Sequence, residues 1–144
     1  MAEFKESLKR GKQIERMVLH RIQKKYPKSF IKEGYCKEWD IYIPEKGFGI
    51  EVKCDEKSNY TGNFVVEVEF GGKPSALSTT KSKYWVFFDG NEFIYIEPNI
   101  LKNIIKKYKI AKFIGEGDKK YKKAYLVKKG DIINNAIYRE SYKG

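Results

Sequence analysis

Apolar residues recur at Ile14, Met17, Val18, Ile22 and Tyr26, the spacing of one helix face, and Pro27 ends the run. Residues 7–26 are therefore predicted to be helical, with Ser7 as the N-cap. Glu15 falls beside that apolar stripe rather than opposite it, an unusual place for a carboxylate. From Phe30 the period drops to two. Residues 39–43 (WDIYI) and 49–54 (GIEVKC) alternate on either side of the turn PEKG, which predicts a hairpin. A loop over 55–62 leads to a strand at 63–70 (NFVVEVEF), whose alternation would place Glu67 and Glu69 on one face. Gly71, Gly72 and Pro74 break the chain, and 75–82 is expected to be a short helix or turn. Residues 84–88 (YWVFF) are apolar throughout, as in a central strand buried on both faces, and DGNE turns the chain into a second hairpin with 93–97. A helix from Pro98 to about Tyr108, a strand at 122–128 and a short helix capped by Asp131 complete the pattern. No repeat or linker interrupts it, so residues 1–144 are expected to form one α/β or α+β domain, basic from about residue 99.

Composition narrows the class. With 144 residues, 41% of them hydrophobic and 15% aromatic, the chain can build a core and is not a disordered tail. No apolar run approaches the roughly 18 residues of a membrane span, and the N-terminus is charged from its third residue. A cytoplasmic protein with no membrane partner is expected, or one in the host cytoplasm if phage- or virus-encoded. Cys36 and Cys54 are too few for a disulfide framework or a Cys-rich zinc site and are expected to be reduced thiols. His20, the only histidine, argues against His-based zinc or triad chemistry and reads as a bystander.

Charge adds an asymmetry. The net +11 divides into +6 over residues 1–29, −4 over 30–98, +9 over 99–130 and 0 over 131–144. Basic segments with interleaved tyrosines, KKYKIAKF and KKYKKAYLVKK, suit a polyanion backbone, where each neutralised phosphate releases counterions. Lys12, Lys106, Lys107, Lys119, Lys120, Lys122 and Lys123 are the candidate contacts, and Tyr108 and Tyr121 could stack on unpaired bases. A solvated Lys-rich face that only keeps the protein in solution accounts for the charge equally well.

The acidic centre carries the chemistry. In a 39–54 hairpin, Asp40 and Glu51 sit close together on one face, Lys53 points the same way as Glu51, and Val52 points into the core. Two converging carboxylates repel unless neutralised, and a hard cation such as Mg²⁺ does so through oxygen ligands while keeping positions for water and phosphate. Lys53 could orient or deprotonate a bound water if its pKa were lowered, or stabilise a phosphate transition state by its charge. An ordinary cross-strand salt bridge remains the alternative for the same three residues.

Asp40, ten intervening residues and then Glu51-Val52-Lys53 resemble the signature of the PD-(D/E)XK nuclease superfamily, with Trp39 in place of the motif's Pro. Glu15, within GKQIERMVL, resembles the helical Glu of many members, and the helix–strand–strand opening is similar to that of archaeal Holliday-junction resolvases. The resemblance implies a restriction-endonuclease-like mixed central β-sheet flanked by helices. It also implies Mg²⁺-dependent hydrolysis of DNA phosphodiester bonds, with Mn²⁺ as a substitute. Asp40, Glu51, the Val52 carbonyl and Glu15 would then hold or position metal, and Lys53 would serve the attacking water. Residues 63–88 resemble a phage-type branch in which a strand Glu and an STTK-like turn precede an apolar strand. On that resemblance Glu67 is an accessory acid and Thr80 or Lys81 a phosphate contact. The resulting expectation is a DNA endonuclease, either directed to branched or junction DNA or restriction- or repair-like. The alternative is a nucleic-acid-binding module that uses its basic flanks without hydrolysis. A homodimer is conceivable through Ile132, Ile133 and Ile137, expected to be exposed.

Overall fold

A computed structural model describes residues 2–32, 38–114 and 120–143. Helix α1 (Ala2–Gln23) begins well before Ser7, because good helix formers run through AEFKESLKR, so Ser7 lies inside the helix rather than capping it. Strand β1 (Phe30–Ile31) follows, then the hairpin of β2 (Ile41–Ile43) and β3 (Phe48–Cys54). A short α2 (Ser58–Thr61) occupies part of the expected loop, ahead of β4 (Asn63–Phe70) and β5 (Lys73–Pro74). The apolar strand is β6 (Tyr84–Phe88), paired antiparallel with β7 (Glu92–Ile96) as its turn predicted. Helix α3 (Pro98–Ile104), β8 (Ala111–Ile114), β9 (Tyr121–Lys128), α4 (Lys129–Ile133) and β10 (Tyr138–Ser141) complete the order. No helix among the described residues is long and apolar enough to cross a membrane.

The protein is a mixed α/β fold with two sheets. Six strands in the order β1-β2-β3-β6-β7-β10 form the central sheet, mixed because β3 and β6 run parallel while the other neighbours are antiparallel. Helix α1 covers one face and buries Ile14 and Val18 against Ile41, Ile50, Val52, Val86 and Phe88, each contributing on the order of 1.5–3 kcal/mol. The other face is not covered by helices alone, as a helix-flanked sheet would be. A second antiparallel sheet, ordered β5-β4-β9-β8, packs there with α3 and α4. Phe64, Val66 and Val127 from that sheet join Trp85, Phe87 and Ile94 from the first in one core.

The C-terminal expectations change with this packing. Ile132 is fully buried in the shared core and Ile133 packs against it, leaving Ile137 as the exposed member of the proposed dimer patch. Asp131 is not a cap. It lies in the first turn of α4, accepts a hydrogen bond from the Tyr108 hydroxyl and pairs with Lys107 at 3.3 Å. Asp89, at the end of β6, is buried and accepts bonds from Lys129 Nζ (2.7 Å) and from the Asn91 and Glu92 amides (both 2.8 Å). That contact ties the β6–β7 turn to α4.

Candidate active site

The β2–β3 register places the central acids. The register ends with Ile41 opposite Ile50, and Asp40 and Glu51, the residues next to that pair, lie close enough for the Glu51 charge to act on Asp40. The Asp40 amide donates to the Ile50 carbonyl at 2.9 Å, and there β2 ends. The next β3 amide facing that side, Val52 N–H, has no strand carbonyl opposite and donates instead to Asp40 Oδ2 at 2.8 Å. The carboxylate is thereby fixed by the backbone. A residue's N–H and C=O leave a strand on the same side, so the Val52 carbonyl also points past the end of β2 towards Asp40.

Asp40, Glu51, Lys53, Glu15, Glu67 and Lys12 all line one cavity of about 1030 Å³. Glu15 projects from α1 next to the buried Ile14, and Lys53 Nζ contacts Glu51 Oε2 at 3.0 Å. Burial pushes the Asp40 pKa up to about 7, reinforced by the charges of Glu51 and Glu15 and opposed by the Val52 amide and Lys53. Glu15 is raised as well, first by burial and then by Glu51, against the pull of Lys12 and Lys53. Lys53 departs from the general-base expectation. Burial disfavours its charge, but Glu51, Asp40 and Glu67 outweigh that and hold its pKa above the ordinary lysine value. It is an ammonium ion here, suited to electrostatic stabilisation rather than to taking a proton.

The remaining predicted residues divide. A bulge between Glu67 and Glu69 breaks the alternation of β4. Glu67 accepts from Ser75 Oγ at 2.7 Å and pairs with Lys122 at 3.7 Å, whereas Glu69 pairs with Lys123 at 3.5 Å. Lys122 and Lys123 are consecutive on β9 and face opposite ways, so the two acids do not share a face, and Glu67 is the one in the cavity. Thr80 Oγ1 accepts from the buried Trp85 indole (3.1 Å) and the Ser82 amide (3.2 Å), which makes it structural. Lys81 is exposed outside the cavity, and the hydroxyl residues that line the cavity are Ser75 and Thr79. Thr80→Val is expected to cost about 1–3 kcal/mol, by orphaning a buried N–H, without changing DNA affinity. Paired chemical denaturation and filter binding check both halves of that expectation.

Lys120 joins the rim. Lys106 is exposed in the 3₁₀ turn that follows α3 and lies outside the cavity, and Lys107 is engaged by Asp131. Lys119 and Cys36 lie outside the described residues. Cys54 is a free, half-buried thiol, raised to about 12 by burial and then by Glu56. His20 lines the cavity together with Gln23. Trp39, Phe30 and Phe70, none of them expected as site residues, also line the cavity. Trp39 could have been suspected from its place beside Asp40.

The donor set suits a hard cation. Asp40 Oδ2 is committed to the Val52 amide, so Oδ1 is the oxygen a cation would take, with Glu51 across the hairpin and the Val52 carbonyl on the same side. Among the described residues, no three of His, Cys, Asp and Glu converge on a common point, so Glu15 does not complete a protein-only cage. Two carboxylates with room for waters and phosphate is an arrangement Mg²⁺ accepts. No family model, curated protein or solved structure matches this chain.

Proposed function

We propose that the protein is an Mg²⁺-dependent DNA endonuclease of restriction-endonuclease-like architecture. The observation that carries this reading is that Asp40 and Glu51 line one cavity at the end of β2, with the Lys53 ammonium 3.0 Å from Glu51. Supporting it are the antiparallel β2–β3 hairpin beside a parallel β6, the acid on α1, and a cavity rimmed by lysines. Asp40 Oδ1, Glu51 and the Val52 carbonyl would hold the ion, which when bound supplies Lewis-acid polarisation of the phosphate and a more acidic water. Lys53 stays protonated and sets its charge against the negative charge that builds on the phosphate oxygens. Lys12 and Lys120, on the rim, attract the flanking phosphates. Glu15 and Glu67 deepen the negative field that draws in the cation and keeps Lys53 charged.

Incubating the full chain with branched, supercoiled, linear duplex and single-stranded DNA, in Mg²⁺, Mn²⁺ or EDTA, tests the proposal. Cleavage with either divalent ion and none in EDTA is the expected result. Salt-sensitive binding with no product on any substrate would replace the hydrolase reading with that of a binding module.

A further inference from the structure

The cavity wall next to Asp40 is aromatic, and neither metal binding nor charge stabilisation calls for an aromatic ring. Trp39 lies directly against the β3 backbone. A Cβ at Gly49 would sit 2.4 Å from Trp39 Cβ and Cγ, so only glycine at 49 admits the indole there. Phe30 meets the ring edge-on, with centroids 5.9 Å apart at 86°, and Tyr42 approaches at 5.1 Å and 45°. The indole is held on several sides before any ligand arrives. Such packing would describe a core, except that Phe30 is 45% exposed and both rings line the cavity. Cations surround the site: Lys32 Nζ stands 6.0 Å from the Trp39 ring, and Lys12 and Lys120 share the cavity.

Fixed, wet aromatic surface among ammonium groups fits a ligand with flat π-faces strung on an anionic backbone. Continuous duplex satisfies only the ammonium groups, because its base faces are covered by their neighbours. We infer that Trp39, braced by Phe30, stacks on an unpaired base adjoining the phosphate bound at Asp40 and Glu51, so that the site takes single-stranded or unpaired DNA in preference to continuous duplex. The position of that phosphate rests on the endonuclease reading, whereas the stacking can be measured without it.

The test is a fluorescence titration of the full chain with oligothymidylate and with a duplex of equal phosphate content, in low salt with EDTA. The chain has two tryptophans, and Trp85 is wholly buried and bonded to Thr80, so quenching reports Trp39. Saturable quenching by the single strand is expected, and Trp39→Leu should lose about 5- to 100-fold in single-strand affinity with duplex affinity unchanged. Trp39→Phe should retain most of the affinity. Phe30→Ala, which removes a half-exposed ring, should weaken single-strand binding in the same direction, and it decides the matter if Trp39→Leu fails to fold. Absence of quenching, or equal losses on both DNAs in these variants, overturns the inference. Quenching without cleavage of any substrate removes the endonuclease reading and keeps the stacking one. Duplex cleavage at the single-strand rate without quenching does the reverse.

Discussion

Lys53→Met is expected to lower divalent-dependent DNA cleavage by about 10²- to 10³-fold, with the loss in kcat rather than in DNA affinity. The side chain contacts Glu51 and lies 5.1 Å from the Trp85 ring, so it is positioned inside the site rather than on the DNA-binding rim. Its raised pKa decides between its two chemical roles. A general base must lose its proton near neutral pH, and the acids around Lys53 oppose that loss. Lys53→Arg separates the roles, since arginine keeps the charge and cannot act as a base at any usable pH. Substantial activity in the Arg variant supports electrostatic stabilisation; complete loss in both variants, with binding intact, would favour proton transfer.

The same substitution has a stability signature. Because its folded pKa is raised, the stability Lys53 contributes is fully present below the ordinary lysine pKa of about 10 and is lost only above it. Any pH dependence that Lys53→Met shows between pH 5 and 8 must therefore come from the acids it leaves behind. Without divalent ions the variant should lose about 1–3 kcal/mol at pH 8, less than a broken fully buried pair costs, because a third of the Lys53 side chain is exposed. At pH 5, where protonation of Asp40 relieves the repulsion, the loss should shrink. Equal losses at both pH values in denaturant titrations would mean that Lys53 acts through packing alone.

The hairpin was the most legible part of the molecule, and the site inherits that legibility. A two-residue period with a PEKG turn is local information, and register then converts sequence positions into neighbours, which is how Asp40 and Glu51 came to lie at the same end of the hairpin. The second sheet was not legible. Its β4–β9 pairing joins distant segments, and β8 lies within a Lys-rich stretch whose alternation is too short to stand out. Glu67 and Glu69 were separated by a bulge that no residue type announces. Thr80 did not take its expected place in the cavity because, following the 3₁₀ turn at Ala76–Ser78, it turns towards Trp85. Ile132 was misjudged because the sheet that buries it was itself unforeseen.

Asp40→Asn is expected to stabilise the protein at pH 8 in the absence of divalent ions and to do little at pH 4. Burial, followed by the charges of Glu51 and Glu15, lifts the Asp40 pKa from 3.8 to about 7 in the folded state. Between those values the folded chain binds more proton than the unfolded chain, so stability falls as pH rises across that window. Below it both states are protonated and nothing is lost; above it the whole cost is present, roughly 4 kcal/mol at most. Asparagine keeps an oxygen for the Val52 amide and carries no charge, so it removes the cost without breaking the backbone contact. A gain of about 2–4 kcal/mol at pH 8, on the order of 10 °C in Tm, should largely vanish on titration to pH 4. Mg²⁺ should reverse the ranking: it binds the ionised wild-type pair and raises its melting temperature, whereas the Asn variant has lost one of its two carboxylates. A structural salt bridge predicts the opposite at every step, with Asp40→Asn destabilising at pH 8 and Mg²⁺ without effect. Thermal melts of the two proteins at both pH values, with and without Mg²⁺, therefore separate a pair of acids held in repulsion for a cation from a pair satisfied by Lys53.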